Sequence, residues 1–359
     1  MDEALARLLS DAVSTTGIRP GEIDDVIIGC AYQRDENWTF GGRHPVFLAH
    51  MPYTVPSMAV DRACSSSLNA LSIGAMEIMT GNSDIVLAGG FEHMTHVPRL
   101  SNRLCDALLD DESYSQYQMK TGYYMGLTAE KLATVAGIGR REMDQYSLRS
   151  HRLASAAYDK GYYKGEILPL SIKTPDGSET VDSDQSVRPG TSMEQLESLK
   201  PAFREDGLVT AGNSSPLNAG ASLVMLMSGR KIKEYGLDSM SRVASIGWAA
   251  VDPSVMGAAV IPAAQKALSK AGISVSDVDI WEINEAFAVV ALNAMQKLGI
   301  EEDRVNVRGG AIALGHPLGA TGARIAGTLS RMIHAGEGER GIASLCVGGG
   351  QGYAVMLEK

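Results

Sequence analysis

Gly17-Ile18-Arg19-Pro20-Gly21-Glu22-Ile23-Asp24-Asp25-Val26-Ile27-Ile28-Gly29-Cys30-Ala31 and Gly272-Ile273-Ser274-Val275-Ser276-Asp277-Val278-Asp279-Ile280-Trp281-Glu282-Ile283-Asn284-Glu285-Ala286 share one pattern. Each is a helix-ending glycine, an acidic turn and a buried strand. The correspondence continues downstream. A turn at Cys64 opens a helix to about Met79, followed by a strand over 84–88; a turn at His316 opens a helix to about Ile333, followed by a strand over 341–347. The chain therefore contains two similar α/β halves, roughly 250 residues apart, with strands and helices alternating as parallel sheets require. The second half also has an apolar strand, 242–249, before its helix 262–271. The first half begins directly in the equivalent helix, 2–14, so its matching strand would lie before Met1.

Between the halves, 94–217 turns irregular, with acidic Asp110, Asp111 and Glu112, tyrosines 114, 117, 123 and 124, and a charged helical stretch over 141–160. The expected organisation is an N-terminal half over 1–93, completed by about 218–239, a loop domain over 94–217 lying across the site, and a C-terminal half over 240–359. Packing against helices is the ordinary role for most of those tyrosines.

The 359 residues are 45% hydrophobic, enough for one large or two modest cores, and no run of 18 apolar residues suggests a membrane span. The chain reads as soluble. No charged and apolar leader opens it, and four cysteines without paired spacing look like thiols of a reducing, cytoplasmic setting. A net charge of −10 argues against nucleic acid as a partner, because an acidic surface repels phosphates. Metal binding has little support. His93 and His96 form the one suggestive spacing, two histidines make an incomplete site, and both read as structural or loop residues.

Cys64 sits in Val60-Asp61-Arg62-Ala63-Cys64-Ser65-Ser66-Ser67-Leu68-Asn69-Ala70, where an apolar run gives way to small polar residues and then a helix. That places its sulfur at a helix N-terminus, whose unpaired N–H groups and dipole lower a thiol's pKa and hold an oxyanion. A cysteine taken alone is more often a small apolar filler. Asn284 in Trp281-Glu282-Ile283-Asn284-Glu285-Ala286-Phe287-Ala288, His316 in Ala313-Leu314-Gly315-His316-Pro317-Leu318-Gly319, Cys346 in Leu345-Cys346-Val347-Gly348-Gly349-Gly350 and the string Gly89-Gly90-Phe91-Glu92-His93-Met94 change that balance. Taken singly, His316 before a proline reads as a turn cap, Asn284 as a helix cap and the glycines from Gly348 as a tight strand end. Jointly and in this order, the strings resemble the thiolase family along nearly the whole chain, and within it the degradative 3-ketoacyl-CoA thiolases.

The resemblance implies a thiolase-like fold, two α/β halves packed as an α-β-α-β-α core with an inserted loop domain. It implies CoA-dependent cleavage of 3-ketoacyl-CoA to acetyl-CoA and a shortened acyl-CoA, or the reverse condensation, through an acyl-cysteine. By that resemblance Cys64 is the nucleophile, His316 takes its proton, and Cys346 protonates the departing carbanion and then activates CoA. Asn284 positions a water that shares one oxyanion with His316, and the N–H groups of Cys64 and Gly348 form a second hole. Arg188 is implied near the nucleotide, Ser215 near the pantetheine, and Tyr124 and Met125 near the acyl thioester. Acyl-CoA and CoA are substrates, no cofactor or metal is implied, and a homodimer or homotetramer is expected.

A short-chain acetoacetyl-CoA thiolase and a non-catalytic acyl-CoA-binding protein of this fold are the alternatives. Tyr124 stands where short-chain biosynthetic members commonly have histidine, which leans towards longer or broader acyl groups. The chain departs from the family pattern at Ser65, Ala219, Arg308, Ala259 and Val260, which bears on loop geometry and CoA affinity and removes no catalytic group. Thiolases are expected to carry the strand missing from the first half at the centre of the sheet. Its slot would then leave open N–H and C=O groups on both flanking strands, and the reading frame upstream of Met1 is expected to encode it.

Overall fold

The structure, a computed structural model, describes residues 1–97, 118–174 and 177–359. The acidic cluster Asp110, Asp111 and Glu112, together with Tyr114 and Tyr117, lies outside the described residues.

Helix α1 (Asp2–Thr16) stops at Gly17, whose φ of 68° is the left-handed conformation that a helix-ending glycine adopts at little cost. Strands β1 (Asp25–Gly29) and β2 (Ser57–Val60) follow, then helix α2 (Ser66–Met79) and strand β3 (Ile85–His93). The middle of the chain supplies α3 (Met125–Ala136), α4 (Arg140–Asp159), the hairpin β4 (Leu170–Thr174) and β5 (Gly177–Val181), and β6 (Ala219–Met227). The second half contains β7 (Arg242–Ala250), α5 (Val260–Ala271), β8 (Ile280–Ile283), α6 (Ala288–Leu298), α7 (Leu318–His334), β9 (Arg340–Val347) and β10 (Gln351–Glu358). Helix α5 ends at Gly272 with φ 70°, the counterpart of Gly17 in the internal repeat.

The two halves form two four-stranded sheets, ordered β2-β1-β3-β6 and β7-β10-β9-β8. In the first, β1 runs parallel to β2 and β3, and β6 closes antiparallel to β3. In the second, β8 is parallel to β9, and β10 runs antiparallel to both β9 and β7. Helices α2 and α7 pack on each other between the sheets, while α1 and α5 cover the outer faces. The middle layer is dense: Ile27, Leu68, Leu71, Val86, Ile325, Leu329, Leu345 and Tyr353 form one buried cluster. At Gly322 the backbone of α7 comes so close to Leu68 that any side chain would collide with it. Deleting a methyl group's worth of this core costs about 1 kcal/mol.

The register corrects one expectation from the repeat. The strand expected at the sheet centre has β7 as its counterpart, and β7 lies at a sheet edge, paired with β10 alone. The equivalent position in the first half is therefore the free edge of β6, whose described partner is β3. An edge position leaves one ladder open rather than two, which is a far smaller penalty than an empty centre.

The stretch between the halves is more regular than its sequence suggests. Helix α4 buries Met143, Tyr146, Ser147, Ser150, Ala154 and Ala157 at helical spacing, so it packs one face inward.

Candidate active site

Cys64 lies in a 3₁₀ turn, Ala63–Ser65, between β2 and the start of α2. Ala63 has φ 44°, a left-handed conformation that costs a residue with a Cβ about 1 kcal/mol or more. Neighbouring bonds hold it. Asp61 Oδ1 accepts from Ala63 N at 2.7 Å, and Ser66 Oγ accepts from Arg62 N at 2.9 Å while donating to Ala63 O at 2.7 Å. The strand–turn–helix passage thus fixes the nucleophile's backbone, and its side chain is buried against Met94 and Leu318, with Ala31 and Tyr32 alongside.

His316 precedes α7 and is buried. Thr321 Oγ1 donates to Pro317 O at 2.9 Å, so towards His316 it accepts, from Nδ1 at 2.7 Å. The network assigns the ring proton to Nδ1 and leaves a lone pair on Nε2, which accepts from Asn284 Nδ2 at 3.2 Å. Asn284 follows β8 directly, and its own N–H donates to Ser344 O of β9. Its Oδ1 is buried with no hydrogen-bond partner among the described residues, and such an oxygen ordinarily takes a water.

Cys346 is the last residue but one of β9 and is fully buried. Burial pushes its thiol well above the usual range, and a charge on Cys64 would push it further, so it holds its proton at neutral pH. The turn carrying Cys64 packs against both β9 and α7. Gly348 lies under Met125: a Cβ built on it would come within 3.5 Å of the Met125 sulfur. Ser215 donates to Ala286 O from both N (3.1 Å) and Oγ (3.2 Å), two residues beyond Asn284.

Six of the nine expected residues, Cys64, His316, Asn284, Cys346, Gly348 and Met125, thus line one region, and Ser215 borders it. Tyr124 and Arg188 do not join them. Tyr124 is 61% exposed, and Arg188 is exposed on a loop where its N–H donates to His151 Nδ1. Burial, with the nearby Arg188 charge, lowers the His151 pKa to about 4.

Sequence reasoning missed the groups that hold these residues in place. Glu285 is fully buried and accepts from Tyr146 Oη, Ser150 Oγ, Asn306 Nδ2 and Ile312 N, which locks the segment after Asn284 onto α4. Glu92 is equally buried and accepts from Ala31 N, Tyr32 N, Asn37 Nδ2 and Gly319 N, tying the end of β1 to the first turn of α7. An unpaired buried carboxylate is costly, and these are satisfied by four donors at Glu285 and, with the Cys30 thiol, five at Glu92. Acidic residues inside apolar strings were the available signal. Thr321, five residues after His316, carried none.

Thr321 is a positioning residue. Thr321→Val keeps the shape and removes the acceptor for Nδ1–H, so kcat is expected to fall about 10- to 100-fold with a displaced pH–rate profile, while Thr321→Ser restores both. An unchanged profile in the valine variant would deny the tautomer assignment.

Glu282, two residues before Asn284, has its pKa pushed up to about 8 by burial, opposed by Arg324. The folded protein then holds this proton more tightly than the unfolded chain, whose carboxyl titrates near 4.5. The contribution is complete below that value and is lost as pH rises through about 8. Glu282→Gln is accordingly expected to flatten the decline in Tm across this window, measured by calorimetry in a pH series.

This arrangement of two buried thiols, an imidazole and an amide at strand ends suits acyl transfer with a carbon acid as leaving group. Comparison with known proteins agrees. Residues 1–230 match the family described as "Thiolase, N-terminal domain" and residues 237–359 match "Thiolase, C-terminal domain". The chain belongs to the thiolase family. It is 41% identical over 345 residues to a 3-ketoacyl-CoA thiolase of Marinobacter nauticus, covering 95% of this chain and 87% of that one. A 3-ketoacyl-CoA thiolase of Vibrio vulnificus is 42% identical over 347 residues, with 95% and 88% covered. The crystal structure of the Bacillus anthracis acetyl-CoA acetyltransferase superposes with a TM-score of 0.89 at 39% identity, over 99% of this chain and 92% of that one.

Proposed function

We propose that this chain is an acyltransferase that cleaves 3-ketoacyl-CoA with CoA, giving acetyl-CoA and a shortened acyl-CoA, and that runs the condensation in reverse. The observation that carries this reading is the convergence of Cys64, His316, Asn284 and Cys346 in a member of the thiolase family.

In the cleavage direction, His316 Nε2 takes the Cys64 proton and the thiolate attacks the 3-keto carbon. The resulting oxyanion is stabilised by preorganised N–H donors, the backbone groups of Cys64 and Gly348 in this reading; losing one such donor typically costs about 100- to 1000-fold. Collapse breaks the bond between C2 and C3 and leaves an acyl group on Cys64. The departing acetyl-CoA carbanion takes the Cys346 proton, while the thioester oxygen of that carbanion rests on His316 and the water of Asn284. Cys346, now a thiolate, removes the proton of an incoming CoA thiol; the CoA sulfur takes the acyl group, and Cys64 leaves as a thiolate that recovers its proton from His316. A thiol serves this cycle because its thiolate is both nucleophile and leaving group.

In this reading CoA and acyl-CoA are substrates and the chain uses no resident cofactor. Arg188 meets the nucleotide, Ser215 the pantetheine, and Met125 and Tyr124 flank the acyl group. Cleavage of 3-ketoacyl-CoA fits the names of the two relatives; fatty-acid β-oxidation, a cytoplasmic setting and a homodimer or homotetramer complete this reading. The likeness to the B. anthracis acetyl-CoA acetyltransferase favours a second reading, short-chain acetoacetyl-CoA chemistry. Among the described residues, no helix is long and apolar enough to cross a membrane.

The test is thiolysis of 3-ketoacyl-CoAs of graded chain length beside the condensation of acetyl-CoA. Turnover extending beyond the four-carbon substrate supports the degradative reading, activity confined to it supports the second, and acyl-CoA binding without turnover in either assay defeats both.

A further inference from the structure

Outside the active site, the two histidines that make an incomplete metal site in the sequence acquire a third donor in the fold. Glu36, in the 3₁₀ turn Asp35–Asn37, faces the turn that follows β3, and one ligand atom from each of Glu36, His93 and His96 lies within 4.8 Å of the others. We propose that these three residues bind a divalent transition ion of the zinc type.

The two turns are held in fixed relation by a side chain between them. Asn37, buried beside Glu36, donates from Nδ2 to Glu92 Oε1 at 2.8 Å and accepts at Oδ1 from His93 N at 3.0 Å. The buried Asn37 amide thereby ties the turn of Glu36 directly to the backbone of His93 and anchors it on the buried Glu92. Within the second turn, Val97 N donates to His93 O at 3.1 Å, and the His93 and His96 rings stack with centroids 4.0 Å apart. His93 Nδ1 lies against Thr95 Oγ1 and His96 N, so a ring rotation is needed for both imidazoles to face one ion. His96 Nδ1 is already 2.9 Å from Glu36 Oε2. This is a first set of ligands mounted on a rigid support, as metal sites require.

The donor chemistry selects the ion. Two imidazoles and one carboxylate suit zinc and its neighbours rather than calcium or magnesium, which take oxygen ligands. Metal–ligand bonds of about 2.0–2.1 Å place tetrahedral donors about 3.3–3.5 Å apart, so side-chain rotations of an ångström or so close the set around an ion. The fourth position faces solvent, since Glu36 and His96 are exposed and His93 half-buried, and takes water. Met94, between the two histidines, packs against Cys64, so the bound ion would clip in place a turn that supports the nucleophile.

Co²⁺ serves as the probe, titrated into the full chain and followed by visible absorption and calorimetry. One equivalent is expected to bind, without the near-ultraviolet thiolate charge-transfer band that Cys64 or Cys346 would produce. His96→Ala should abolish saturable binding and Glu36→Gln should weaken it at least about tenfold. Both side chains are exposed and take no part in the proposed chemistry, so both variants should keep the parent's circular dichroism and thiolysis rate. No saturable binding, a thiolate band, or binding that survives in both His93→Ala and His96→Ala would overturn the proposal and leave an ion pair beside a ring stack.

Discussion

Cys64→Ala is expected to lower thiolysis and condensation by at least about 10⁴-fold with the fold intact. The effect is large because the residue acts as a bond-forming atom rather than as one donor among several. Its turn is held by Asp61 and Ser66 through backbone N–H and C=O groups that the substitution does not touch, so circular dichroism and Tm should stay close to the parent values. CoA thioester binding, measured by calorimetry, should persist. A variant that still turns over within tenfold of the parent would remove Cys64 from the mechanism.

Cys346→Ala is expected to separate the two half-reactions. Its thiol is raised by burial and further by charge on Cys64, which makes it a proton donor at neutral pH and a poor competing nucleophile. Transfer of an acetyl group from acetyl-CoA to Cys64 needs no proton at the α carbon, so a stopped assay should find the acyl-enzyme formed. Forming or breaking the carbon–carbon bond needs that proton, and the loss there is expected to be about 10²- to 10⁴-fold. Equal loss of both half-reactions would deny that the α-carbon proton is the step that depends most on Cys346. Parent-like turnover would deny it any acid–base role.

Much of the architecture is legible in the sequence because it repeats. The glycine caps at Gly17 and Gly272, the helix opened after Cys64 and the helix opened after His316 fall within a residue or two of their expected bounds. Strand order was not legible. A repeat gives the order of elements along the chain, whereas the place of β7 depends on its antiparallel pairing with the last strand, β10, about 100 residues later. That is why a strand expected at the centre belongs to an edge.

The candidate site shows the same division. Cys64, His316, Asn284 and Cys346 stand out because local strings mark them. The groups that orient them do not, since Glu92 meets Gly319 across 227 positions and Glu285 meets Tyr146 across 139. A buried carboxylate with distant backbone donors leaves no periodic signature, and Met125 over Gly348 is visible only once α3 has been laid against the end of β9. Tyr124 is the opposite case: a local string promotes it, and its side chain is mostly exposed, so burial adds nothing to that string.

The central claim is that acyl transfer passes through Cys64, and peptide mapping by mass spectrometry tests it most directly. After incubation with acetyl-CoA and rapid acid quench, the account predicts one acetyl group, on the peptide containing Cys64, removed when free CoA is added before the quench. Acetylation of Cys30, Cys105 or Cys346 in place of Cys64, or an active enzyme that never carries the group, would contradict it.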